Sequence, residues 1–238
     1  MVKLSKILVC NQKMFLTLDE AILLKNEMDG LDFDNIDLIV CPNYLNMQLF
    51  SNYKLCSQDS HYEDKGAFTS KVSAYDLSLR GIKYSLVGHS DIRDKETDKE
   101  INLKVKALLK HSMTPILCIG ETKYDKELMK TSFVLKKELT NALKDINLDN
   151  TQEVYIAYEP RYLISGKNAL AKKDIIDIFL YIRKILSDLN INKYKLLYGA
   201  AVNSENIKDL VCEEIDGFLL GASSVNISEL KSIIKCLK

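Results

Sequence analysis

Eight short apolar runs, each followed by material of helical periodicity, limit how this chain can fold more than any other feature. They occupy residues 6–11, 37–41, 54–58, 84–87, 114–119, 154–158, 194–198 and 215–220. Helical spacing of apolar residues follows over 19–28, 44–49, 72–81, 101–111, 126–143, 174–189, 204–212 and 225–237. Thr17 and Ser204 stand where N-caps of two of these helices are expected, and Gly81 where a C-cap is expected. Runs such as Ile7-Leu8-Val9-Cys10 are apolar throughout rather than alternating, the pattern of parallel strands buried on both faces. The spacing is regular and no linker rich in Pro, Gly or Ser divides the chain, which has only three prolines and nine glycines. The expected fold is α/β, a single (β/α)8 barrel domain over residues 1–238. The structural rival is an open doubly wound sheet. Its dinucleotide-binding form is disfavoured because no G-x-G-x-x-G follows the first run.

Composition excludes several classes of function. Lys+Arg and Asp+Glu both number 33, so no basic excess points to nucleic acid or to an anionic membrane surface. No apolar stretch reaches the length of a membrane span, and residues 1–11 turn polar too soon for a signal peptide. The six cysteines form no C-x-x-C pair and the three histidines lack metal-ligand spacing. Reduced core thiols in a cytoplasmic protein are expected, with no metal site.

Chemistry concentrates where the strands end. In residues 155–167 an acid, Glu159, closes the sixth run, and Pro160 biases it toward extended backbone. A single glutamate in a loop is most often just solvated. In a barrel, however, all eight strand ends share one mouth. Asn11 and Lys13 after the first run, His89 after the fourth and Glu159 after the sixth then converge. Small-residue turns at Gly199-Ala200-Ala201 and Gly221-Ala222-Ser223 join them, of the kind that lets backbone N–H groups approach an anion. The predicted site is an ammonium, an imidazole and a carboxylate beside a phosphate cradle.

The order of these motifs resembles the triosephosphate isomerase family over nearly the whole chain. Asn11-Gln12-Lys13-Met14, Gly66-Ala67-Phe68-Thr69, Val87-Gly88-His89-Ser90, Cys118-Ile119-Gly120-Glu121 and Ala157-Tyr158-Glu159-Pro160 fall in sequence, with Tyr198-Gly199 and Asp216-Gly217 after them. The resemblance implies interconversion of dihydroxyacetone phosphate and glyceraldehyde 3-phosphate through an enediolate. Glu159 would be the base, and His89 would polarise the carbonyl oxygens. Lys13 would offset negative charge, and Asn11 would donate to a substrate oxygen. Backbone near Ser165, Ala201, Gly221 and Ala222 would hold the phosphate. The resemblance also implies a homodimer built on the loop around Thr69, and service in glycolysis or gluconeogenesis.

The chain departs from the family pattern in five places. The lid, residues 161–167, is one residue shorter than usual, with Tyr162 in place of Trp and the Gly-Thr-Gly tip reduced to Ser165-Gly166. Ala200 and Ala201 replace Gly-Ser, which removes a hydroxyl that latches the closed lid, although Tyr198 remains as a latch toward the backbone near Ala169. Asp91 replaces a glutamate, which shortens the carboxylate facing Lys13. Lys71 and Ile92 stand where a cross-subunit ion pair is usual. These changes motivate an alternative: a catalytically impaired barrel that binds a phosphometabolite or a partner.

Overall fold

The computed structural model describes residues 5–164 and 166–238. Its strands are β1 (Lys6–Asn11), β2 (Ile36–Cys41), β3 (Lys54–Ser57), β4 (Tyr84–Val87), β5 (Thr114–Ile119), β6 (Val154–Tyr158), β7 (Tyr194–Tyr198) and β8 (Gly217–Leu220). Its α-helices are α1 (Leu18–Asp29), α2 (Ala74–Leu79), α3 (Asp98–Lys110), α4 (Lys123–Glu127), α5 (Thr131–Ala142), α6 (Lys172–Asp188), α7 (Ile207–Leu210) and α8 (Ile227–Leu237). The strands are parallel and pair in chain order into a closed barrel. Closure sets Ile7 opposite Gly217 and Cys10 opposite Leu220.

Alternation along each strand divides the core in two. Ile7, Val9, Ile39, Leu86, Ile116 and Leu197 belong to the group that fills the barrel interior. Leu8, Val40, Leu117, Ile156, Leu196 and Phe218 face outward and pack under the helices. The helices cover this outer layer with apolar stripes, such as Ile175, Phe179, Ile182 and Leu186 of α6. The predicted continuous apolar strands follow from having both faces buried. Among the described residues no helix is long and apolar enough to cross a membrane.

Most elements lie where periodicity puts them, and the differences have local causes. The helix expected over 101–111 starts earlier, at Asp98, because Thr97 and Glu100 form a reciprocal capping box. The single helix expected over 126–143 is two. Thr122 and Asp125 form a box that starts α4, which ends at a turn where Met129 adopts a left-handed φ of 54°. α5 then begins afresh beside the barrel, with Thr131 Oγ1 donating to Glu121 Oε1 at 3.2 Å. Ser204 does not cap the helix after β7, which is only Ile207–Leu210 and follows Asn206. Its N–H and hydroxyl donate to the carboxylate of Glu229 instead.

Gly217 closes the ring under tight contact. A Cβ there would sit 2.2 Å from the Ile7 carbonyl oxygen, which is backbone and has nowhere to go. Gly217→Ala is expected to destabilise the protein by roughly 1–3 kcal/mol or more, the usual range for an overfilled site. Urea unfolding of the two proteins measures it.

Candidate active site

The ends of β1, β4, β6, β7 and β8 open into one cavity of about 410 Å³. Asn11, Lys13, His89, Glu159, Ala201, Gly221 and Ala222 all line it. Seven of the eight predicted site residues therefore share an opening; Ser165 lies outside the described residues.

Glu159 is 5% exposed and stands between two glycines. A Cβ on Gly120 would fall 1.9 Å from the Glu159 carbonyl oxygen, and one on Gly199 would fall 3.0 Å from its Cγ. Gly199 thus makes room for the acid, a use that its place in a small-residue turn did not indicate. The Glu159 N–H donates to the Ile119 carbonyl at 2.8 Å, which fixes the backbone where the strand ends. Oε1 faces His89 Nε2 at 3.6 Å, while Oε2 is buried without a hydrogen-bond partner among the described residues. A buried acceptor left open at a cavity wall is available to a ligand.

His89 is also 5% exposed. The Asp91 N–H donates to its Nδ1 at 3.1 Å, so in the neutral ring the proton sits on Nε2 and points to the cavity. Gly88 makes the turn before it at φ 66°, packed so closely on Arg93 Nη1 that a Cβ would lie 2.6 Å away.

Lys13 holds a left-handed backbone, φ 45°, which is uncommon for a residue with a side chain. Its N–H donates to Asn11 Oδ1 at 3.1 Å, and its carbonyl accepts from Gln58 Nε2 at 2.8 Å. Its ammonium pairs with Asp91 Oδ2 at 3.0 Å, so the shorter acid still reaches it. Gln58, at the end of the third run, was not singled out in the sequence. A polar residue immediately after an apolar run is the signal that points to it.

At the opposite end, Ala201 is left-handed at φ 51° and its carbonyl accepts from Asn206 Nδ2 at 2.8 Å. A 3-10 turn, Ala222–Ser224, opens directly after Gly221. The first N–H groups of such a turn have no partner within it and suit an anion. The lid begins as a 3-10 turn, Arg161–Leu163. Beyond it, the Leu170 N–H donates to the Tyr198 hydroxyl at 2.9 Å, one residue on from the position predicted for that latch. Burial pushes Tyr198 up to about 12, so the hydroxyl keeps its proton.

An imidazole N–H, a carboxylate and an ammonium around one cavity, with backbone donors at its far side, suit proton transfer next to the carbonyl of a small anion. A family model described as triosephosphate isomerase matches residues 6–237. The chain belongs to the triosephosphate isomerase family. The match spans all eight strands, and with it comes an isomerase type of activity on a triose phosphate.

Triosephosphate isomerase chemistry needs no thiol, and the thiols here are in the packing. Cys10, Cys41, Cys56 and Cys118 are buried, while Cys212 and Cys236 are partly exposed. Burial raises Cys10 to about 12, and burial with Glu159 nearby drives Cys118 well above its ordinary value. At pH 8 an aromatic disulfide reagent should titrate no more than the two partly exposed thiols of the folded protein, and all six after denaturation. Absorbance of the released thiolate counts them.

Proposed function

We propose that this protein interconverts dihydroxyacetone phosphate and D-glyceraldehyde 3-phosphate in glycolysis and gluconeogenesis, in the cytoplasm. The observation that carries the reading is the 3.6 Å approach of Glu159 Oε1 to His89 Nε2 across the cavity that Lys13 also lines. A substrate bound there would lie with its C1 and C2 beside the carboxylate and its two oxygens beside the imidazole. Glu159 removes a proton from C1 of the ketone, and the electron pair moves to the carbonyl oxygen to give an enediolate. The Nε2–H of His89 gives its proton to that oxygen and the ring takes the C1 hydroxyl proton in exchange, while Lys13 and Asn11 stabilise the negative charge on the oxygens. Glu159 then returns the proton to C2 while the electron pair on the C1 oxygen closes the aldehyde carbonyl, leaving a hydroxyl on C2. Backbone at Ala201, Gly221 and Ala222, with Ser165 from the lid, holds the phosphate. Lid closure of the kind this family typifies keeps water from the intermediate. The steps transfer protons only, so the reading requires no cofactor.

A coupled assay starting from glyceraldehyde 3-phosphate tests it. The wild-type protein should turn over, and Glu159→Gln should lose about 10²–10⁴-fold in kcat with an unchanged circular dichroism spectrum. No turnover in the wild type, with a phosphate ligand still bound, would favour the impaired barrel instead.

A homodimer accompanies this reading. Loops after β1, β2 and β3, neighbouring strands, carry apolar side chains into solvent: Met14 is 91% exposed, Leu45 92% and Phe68 42%. Thr69 stands beside them, and an apolar patch of this kind calls for a partner surface. Lys71 and Ile92 leave the association without the cross-subunit ion pair. Sedimentation at micromolar concentration should give twice the 27.1 kDa chain mass, and a monomer alone would refute the dimer.

A further inference from the structure

Under the reacting pair lies a buried ionic cluster that the proton-transfer chemistry does not use. Its centre is Glu138 of α5, 6% exposed. Glu138 Oε2 accepts from the Gly120 N–H at 3.0 Å, at the end of β5. Glu138 Oε1 accepts from Arg161 Nη2 at 3.0 Å and faces Arg93 Nη2 at 3.4 Å. One carboxylate thus touches the segments that follow β4, β5 and β6.

Each of those segments bears on a reacting group. Gly120 packs against the Glu159 carbonyl, too closely for any side chain. Arg161 is two residues beyond Glu159, and its own N–H donates to the Glu121 carbonyl at 3.0 Å. Arg93 donates its N–H to the His89 carbonyl at 2.9 Å, and its Nη1 lies against Gly88. Asp98, at 3.2 Å from Arg93, and Asp94, at 3.2 Å from Arg161, close the outer side.

We infer that Glu138, acting through Arg161 and Arg93, is a positioning residue that sets the separation of Glu159 from His89. The network does not contact the substrate. It joins the backbone that carries the base to the backbone that carries the imidazole, through a planar fork and a carboxylate whose geometry tolerates little play. Its ion pair with Glu138 anchors Arg161, two residues after the base, to the barrel wall. A displacement of about 1 Å in a reacting group is enough to cost one to two powers of ten in rate.

The kinetic part of the test rests on the isomerase reading. Arg161→Leu, Arg161→Lys, Glu138→Gln and the Arg161→Leu/Glu138→Gln double variant are compared with Arg80→Leu, which breaks an exposed pair with Asp76 on α2. Arg161→Leu should lower kcat about tenfold or more with KM within about twofold, Arg161→Lys should recover part of the loss, and Arg80→Leu should match the wild type. The double variant should lose no more than the worse single one, since both cut the same link. A kcat within about twofold of wild type in folded Arg161→Leu, or strictly additive losses, overturns the inference. If Glu138→Gln does not fold, the Leu and Lys variants at Arg161 decide. If the wild type does not isomerise, the functional reading fails separately, and a crystal structure of Arg161→Leu decides. A Glu159–His89 separation still near 3.6 Å refutes the positioning role, and widening by about 1 Å supports it.

Discussion

Ring closure between β1 and β8 is the constraint from which the site follows. A sheet of parallel strands with free edges would spread its strand ends along a line; joined to itself, it gathers them round a single opening. The junction depends on Gly217 lying against the Ile7 carbonyl with no side chain between. Its outer margin carries a further tie, where buried Lys6 donates to the carbonyls of Cys212 and Ile215, each at 2.6 Å. Burial lowers the pKa of this ammonium, yet two carbonyl oxygens solvate it in place of water. Residues far apart in sequence, such as Asn11 and Gly221, share a cavity only because this seam holds.

Around that opening, polar groups sit on an apolar floor. Glu159 and His89 are nearly as buried as the core and are positioned by glycines, backbone donors and neighbouring strands. Preorganisation of this kind spares the reacting groups from reorienting as charge develops. It also has a backbone cost, since Lys13 and Ala201 both occupy left-handed conformations that L side chains adopt reluctantly, on the order of 1 kcal/mol each. At Lys13 that conformation is held by Asn11 and Gln58 and directs the ammonium toward Asp91.

Strands were the most legible part of the sequence because each is an unbroken apolar run with a polar stop. Helix boundaries were read less well where local hydrogen bonding overrides periodicity. Thr97 and Glu100 extend α3 upstream, and the left-handed turn at Met129 divides what the apolar spacing joins into one helix. At the site, Asn11, Lys13, His89 and Glu159 were legible because barrel topology alone brings strand ends together. Gly199 was seen as small but not as the space for Glu159, which depends on a contact between different strands. Glu138 was missed although its spacing carries a signal: it stands in the buried stripe of α5, three residues after Leu135 and four before Ala142, where a charge needs a buried partner.

The segment that carries the lid is tied on either side, by Arg161 to Glu138 and by Leu170 to Tyr198. Only residues 162–169 lie between these ties. Fully drawn out, a span of that size measures roughly 27 Å, and within it the Lys167 carbonyl accepts from Asn203 Nδ2 at 3.2 Å. Any rearrangement made while both anchors hold is therefore confined to the backbone inside them.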